Sequence, residues 1–92
     1  MKLMYKNQIL GCINHVYKEA YWIHGFFEKA DEFEKYEGLF KDLVCEDGFD
    51  ESKYEIDILD DNNWYVTDNG KKIGICIPAI YDDGDITYND KN

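Results

Sequence analysis

The chain has no arginine: its ten Lys/Arg positions are all lysine, against twenty aspartates and glutamates, for a formal net charge of −10 over 92 residues. Arginine supplies the planar fork that grips phosphates and base edges, so an arginine-free chain of this charge is a poor nucleic-acid binder. Proline is nearly absent, at one residue, and no stretch approaches the roughly 18 apolar residues of a membrane span. The opening MKLMYKNQILGC lacks the continuous apolar core of a secretory leader, and the end KN carries no lipidation box. A cytosolic protein is the expectation. Three cysteines, Cys12, Cys45 and Cys76, form no CxxC pair, which fits a reducing compartment and packing as small hydrophobes.

Aromatic residues are plentiful by contrast. Thirteen Phe and Tyr together with Trp22 and Trp64 give a large apolar payload for a short chain, which argues for a single folded domain over residues 1–92 with a modest core. The charge is unevenly spread. Residues 1–27 balance at +2, residues 28–61 hold fourteen acids and four lysines for −10, and residues 62–92 balance at −2. The middle third carries the whole excess, and a partner for it is cationic.

The first third reads as strands: KLMYK, a turn near Lys6 and Asn7, QILGCINHV, a YKEA connector and YWIHGFFEK. In the last of these Tyr21, Ile23 and Phe27 share one face and Trp22, His24 and Phe26 the other, so the strand is expected to be central. Asp31 is a good N-cap with Glu34 three residues on, as in a capping box, and Phe33, Tyr36, Phe40 and Leu43 recur at helical spacing. Gly38 within that helix implies a close strand, and Asp47-Gly48 marks its end. The stretch from Phe49 to Asn63 mixes strand and helix periods; Asp50 as a cap favours a second helix. Further on, a two-residue turn at Asn69-Gly70 sets Val66 opposite Ile73 and Trp64 opposite Ile75. The same arithmetic at Asp83-Gly84 sets Tyr81 opposite Ile86 and Ala79 opposite Tyr88, at the expense of Asp82 facing Asp85. Pro78 between the hairpins marks a bulge or an edge.

Several constellations invite chemistry. IPAIYDDGDITYND looks like a cation loop, yet counting back from Gly84 places Ala79 and Tyr81 where an EF-hand needs ligands, so a turn is the simpler reading. Cys12, His15 and His24, with Cys45 or Cys76, are the material for a zinc site or a Cys-His nucleophile. Within a strand Cys12 and His15 fall on opposite faces, no local ligand pair exists, and no GxSxG, HExxH, P-loop or dinucleotide fingerprint occurs. No metal, cofactor or catalytic residue is expected, and the chain reads as a non-enzyme.

The stretches YWIHGFFEKADEFEKYEGLF, NNWYV and IPAIYDDGDI together resemble a pattern in small bacterial proteins: an aromatic strand, a helix opening after an acid, a Trp-Tyr strand and an IPAIY-type ending. The resemblance covers residues 21–88 and implies structural elements only. In size, acidity and Lys-, Asn- and Ile-rich composition the chain is also similar in type to phage anti-defence inhibitors, such as anti-CRISPR and anti-restriction proteins, and to bacterial immunity proteins. The expected architecture is α+β, an antiparallel sheet of five or six strands covered by one or two central helices. The expected function is stoichiometric inhibition of a basic protein, such as a nuclease or other nucleic-acid-binding effector, through Glu32, Asp42, Glu46, Asp47, Asp50, Glu51, Asp57 and Asp60. The alternative is a small-ligand or protein-binding domain using an aromatic sheet face of Trp22, Tyr21, Tyr65, Tyr81 and Tyr88, a face that also suits a homodimer.

Overall fold

The computed structural model describes residues 1–44 and 51–90. Strands β1 (Lys2–Tyr5), β2 (Gln8–Glu19) and β3 (Trp22–Lys29) form a meander. A 3-10 segment, Asp31–Tyr36, leads into α1 (Glu37–Leu43). A 3-10 turn (Glu51–Lys53), the single turn α2 (Ile56–Leu59) and a further 3-10 turn (Asp61–Asn63) follow. A second meander closes the chain: β4 (Trp64–Asp68), β5 (Lys71–Gly74), β6 (Ala79–Ile80) and β7 (Asp85–Tyr88). All pair antiparallel in one sheet of order β5-β4-β1-β2-β3-β7-β6. The α+β class and the central place of β3 agree with the sequence; seven strands replace five or six because the run through Pro78 divides into β5 and β6.

The two margins of this sheet, β5 and β6, are consecutive in the chain. Ile75 lies between them: its N–H donates to the Trp64 carbonyl at 3.2 Å, and it also bridges to Asp90 beyond β7. Cys76 N–H donates to the Asn89 carbonyl at 3.0 Å. One stretch, residues 71–80, therefore starts beside β4 and ends beside β7, and the sheet rolls round until its margins meet. Rolling leaves little exposed edge, which guards against strand addition by other chains.

Strand β2 runs on through the expected YKEA connector to a two-residue turn in which Ala20 has φ 55°. It is bent by two irregularities, one opposite Leu3 and Met4 and one between Asn14 and Tyr17, where His15 has φ 54°. Such bulges add curvature to a strand that must wrap a small core. The Asn69-Gly70 hairpin forms as the sequence indicates, with Val66 opposite Ile73 and both turn residues at positive φ. The second hairpin differs by one residue. Ile80 faces Ile86 and Ala79 faces Thr87, because the loop has three residues rather than two. Gly84 N–H donates to the Tyr81 carbonyl at 3.0 Å, Gly84 takes φ 95°, and Asp83 Oδ1 accepts from Asp85 N–H at 3.0 Å. This loop turns both isoleucines inward and removes the expected Asp82–Asp85 opposition.

Inside the roll lie Leu3, Tyr5, Leu10, Ile13, Phe27, Trp64, Val66, Ile75, Ile80, Ile86 and Tyr88, and the helical segment adds Phe33, Leu39 and Phe40. Rings pack in series from Phe27 to Phe33 (centroids 5.0 Å), Phe40 (5.3 Å), Trp64 (5.5 Å) and Tyr5 (4.8 Å). Asp31 does not cap the helix. Ala30 is the extended residue before it, and Ala30 N–H is held by the Leu10 carbonyl at 2.9 Å. The 3-10 winding aligns Phe33 with Tyr36 at i, i+3, and Phe33 is buried while Tyr36 packs on the core. The helix stops at Leu43; the expected end at Asp47-Gly48 and the expected cap Asp50 lie outside the described residues. The second helix is broken into short turns because Asp60, Asn63 and Trp64 take up backbone groups with side chains. Asp60 Oδ1 accepts from Asn62 N–H (3.0 Å), Asn63 Nδ2 donates to the Asp57 carbonyl (2.9 Å) and Trp64 Nε1 to the Ile58 carbonyl (2.9 Å).

Two glycines differ in kind. A Cβ on Gly11 would lie 2.4 Å from the Glu28 carbonyl oxygen and 2.5 Å from the Phe27 ring, whereas one on Gly38 would meet nothing within 4 Å, so no strand approaches Gly38. Gly11→Ala is expected to destabilise by about 3 kcal/mol through overpacking. Gly38→Ala should stabilise by roughly 0.5–1 kcal/mol through helix propensity. Urea denaturation of the two variants measures both, and equal effects would contradict this packing.

Candidate functional site

The described part of the acidic middle of the sequence, residues 31–44 and 51–63, packs as a layer on the rolled sheet. Its apolar residues point down: Phe33, Leu39 and Phe40 are buried, and Tyr36, Leu43, Tyr54, Ile58 and Leu59 pack against the core. Ile56 is the exception and is exposed, and the described carboxylates lie on the outer side. Tyr54 ties the two parts of the layer together, its O–H donating to the Asp42 carboxylate and lying 3.3 Å from the Gly38 carbonyl oxygen. Among the described residues no polar or charged residue is buried.

The expected binding residues separate into different situations. Glu32, in the first 3-10 turn, pairs with Lys35 at 2.7 Å. Asp57 pairs with Lys6 of the β1–β2 turn at 3.0 Å, and this hydrogen bond raises the Lys6 pKa. Both pairs are largely exposed, so each adds little stability. Asp42 and Asp60 do structural work, receiving the Tyr54 hydroxyl and the Asn62 N–H. Glu51 opens a 3-10 turn, and Glu46, Asp47 and Asp50 lie outside the described residues. The four described carboxylates are thus not drawn into one cluster; each has its own partner.

Sequence reasoning passed over Asp31, Glu34 and Glu55. All three are exposed, and among the described residues none makes an ion pair or a side-chain hydrogen bond. Asp61, by contrast, accepts from the Ile77 N–H at 3.2 Å and so steadies the stretch that closes the sheet. Only contacts distinguish these acids; residue type does not.

The aromatic surface differs from the expected one: Tyr21, Trp22 and Tyr81 are exposed, whereas Tyr65 and Tyr88 are not. Tyr88 is a core residue and Tyr65 lies on β4, with its O–H donating to the Lys6 carbonyl. The exposed aromatics on the β2–β3 side are Tyr17, Tyr21, Trp22 and Phe26, with Tyr81 in the turn after β6. His24 stacks on Tyr17 at 5.0 Å between centroids and hydrogen-bonds through Nδ1 to Thr87 Oγ1 at 3.2 Å. Cys12 is exposed rather than packed, Cys76 is half-buried, and Cys45 lies outside the described residues. The bulge after Asn14 breaks the alternation that would set Cys12 and His15 on opposite faces. Even so, no three His, Cys, Asp or Glu side chains converge as a metal ion requires among the described residues. No helix among them is long and apolar enough to cross a membrane.

A cavity of about 300 Å³ opens where α1 meets the turn at residues 81–84. Phe27, Phe33, Phe40 and Ile80 form its floor, Phe26 one wall, and Lys29, Glu37, Lys41, Asp82 and Asp83 its rim. No family model, curated protein or solved structure matches the chain.

Two tyrosines record the electrostatics. The hydrogen bond to Asp42, followed by loss of solvent, pushes the Tyr54 pKa up to about 12; burial, followed by the Asp68 and Asp90 charges, does the same for Tyr88. Because the folded values lie above the ordinary value of 10.0, the unfolded chain loses these protons first. Their contribution is complete below about pH 10 and declines as pH rises towards about 12. Burial raises the Tyr5 pKa as well, so tyrosinate absorbance of the folded chain should lag that of the urea-unfolded chain by three of the eight tyrosines. Tyr54→Phe should remove one of the late groups. Titration of all eight together near pH 10 would contradict the assignment.

Proposed function

We propose that the chain is a non-enzymatic, stoichiometric inhibitor of a basic, nucleic-acid-handling protein, acting in the cytoplasm of a bacterium or a phage-infected cell. It presents carboxylates where that partner otherwise holds phosphates. The observation that supports this reading is the layering: in the described part of the segment with balance −10, all the apolar side chains named above except Ile56 pack on the core and most acids are exposed. A solvated surface needs charge of either sign, whereas a one-signed layer of this density steers association with a cationic groove. The absence of arginine removes the residue best able to neutralise the layer locally.

The binding set is Glu32, Asp42, Glu46, Asp47, Asp50, Glu51, Asp57 and Asp60, to which Asp31, Glu34 and Glu55, exposed and without an ion pair among the described residues, are added. Asp42 and Asp60 are poor choices for a test because their carboxylates also hold the fold. Reversal of Asp31, Glu34 and Glu55 together to lysine leaves the core untouched. From a bacterial lysate the wild type should capture a basic nucleic-acid-binding protein that duplex DNA displaces. Its affinity should fall on the order of tenfold or more as salt rises to a few hundred millimolar. The triple variant should lose the capture. Capture that is indifferent to salt, to DNA and to the reversal would refute the proposal.

A further inference from the structure

We infer that the cavity between α1 and the turn at residues 81–84 receives one large apolar side chain, flanked by lysine or arginine, from a cationic partner segment. This rests on the proposed function, and it moves the centre of the interface to a place that carboxylates alone do not mark.

The floor admits only an apolar group. Phe27, Phe33 and Phe40 present ring carbons, and no hydrogen-bonding side chain lies among them. At about 300 Å³ the space stands at the lower end of small-molecule sites and is large enough for one bulky side chain. The walls are firm on both sides. Phe33 and Phe40 stack at 5.3 Å, and the Phe26 ring lies so close to Gly84 that a Cβ there would sit 2.7 Å from it. Phe26 is nonetheless 42% exposed and Tyr81 46%, so two aromatic edges stand unfilled at the mouth. Interfaces draw their largest contributions from side chains seated in pockets of this kind.

The rim selects the charge of what surrounds that side chain. Lys29 is engaged with Glu37 at 3.2 Å, which neutralises that lip. Asp82 and Asp83 stand at the tip of the turn opposite, Asp83 using Oδ1 for the Asp85 N–H, and Lys41 is the single unpaired cation among the described rim residues. What remains is Lys41 on α1 against Asp82 and Asp83 on the turn, a net negative charge concentrated on the turn side, so a cationic flank is favoured on that side of the seated group.

The test uses the full chain, isotope-labelled for amide NMR, and three capped pentapeptides: KKWKK, KKAKK and QQWQQ. KKWKK should shift the resonances of Phe26, Lys41 and residues 81–84, with an affinity at least about tenfold above that of KKAKK. Asp82→Lys, at an exposed turn position, should weaken KKWKK severalfold and leave the spectrum of the free protein folded. Equal binding of KKWKK and KKAKK, or shifts confined to the outer face of the acidic layer, would overturn the cavity inference and leave the acidic-surface reading intact. QQWQQ binding as tightly as KKWKK would overturn the cationic identity of the occupant, while the acidic-surface reading stands or falls on the salt and DNA dependence of capture. The absence of shifts around the cavity at millimolar KKWKK would overturn the inference outright.

Discussion

The rest of the structure depends on one stretch of ten residues serving two margins of the same sheet. Residues 71–80 leave β4 and arrive at β7, and Ile75, fully buried, holds contacts in both directions. Asp61 fixes the bend through the Ile77 N–H, and Pro78 gives up a donor that a flat strand would need. Once the margins meet, the inner face becomes a closed space that the aromatic series from Phe27 to Tyr5 can fill. The helical segment then needs only its apolar side to complete that core.

This division of labour explains how a short chain carries so much charge of one sign. The two ends of the sequence build the sheet, and the middle contributes a few apolar side chains inward and a dense set of acids outward. Three exposed lysine–carboxylate pairs, at Lys6, Lys29 and Lys35, offset part of the repulsion. Exposed pairs are worth at most about 1 kcal/mol each, so they offset only part of the like-charge repulsion, which the apolar contacts of Phe33, Leu39 and Phe40 must outweigh.

Much of this was legible in the residues, and the failures are physically specific. Asn69-Gly70 identified its hairpin and register because a two-residue turn with positive φ admits few alternatives. Asp83-Gly84 misled, since the same pair also suits a three-residue loop, and the choice was made by Ile80 and Ile86 seeking the core. The helix at residues 31–43 was visible in its apolar spacing, but Ala30 rather than Asp31 precedes it because Leu10 captures the Ala30 N–H. The roll itself was hidden: pairing of β1 with β4 and of β3 with β7 depends on contacts some sixty residues apart, which no local pattern encodes. The acidic segment was plain from composition, whereas the split between supporting acids (Asp42, Asp60, Asp61) and those without a partner among the described residues (Asp31, Glu34, Glu55) depends on three-dimensional contacts. So did the cavity beside Asp82, on a loop that reads in isolation as a turn.

The central claim is that the rolled sheet and its aromatic core carry the fold while the acidic layer works against it. Urea unfolding of the wild-type chain at low and at moderate sodium chloride tests this most directly, since a neutral denaturant leaves the ionic strength under control. Stability should rise as salt screens the repulsion within the layer. A fall with salt would mean that attractive ion pairs dominate the layer, and that its acids serve the fold before they serve any partner.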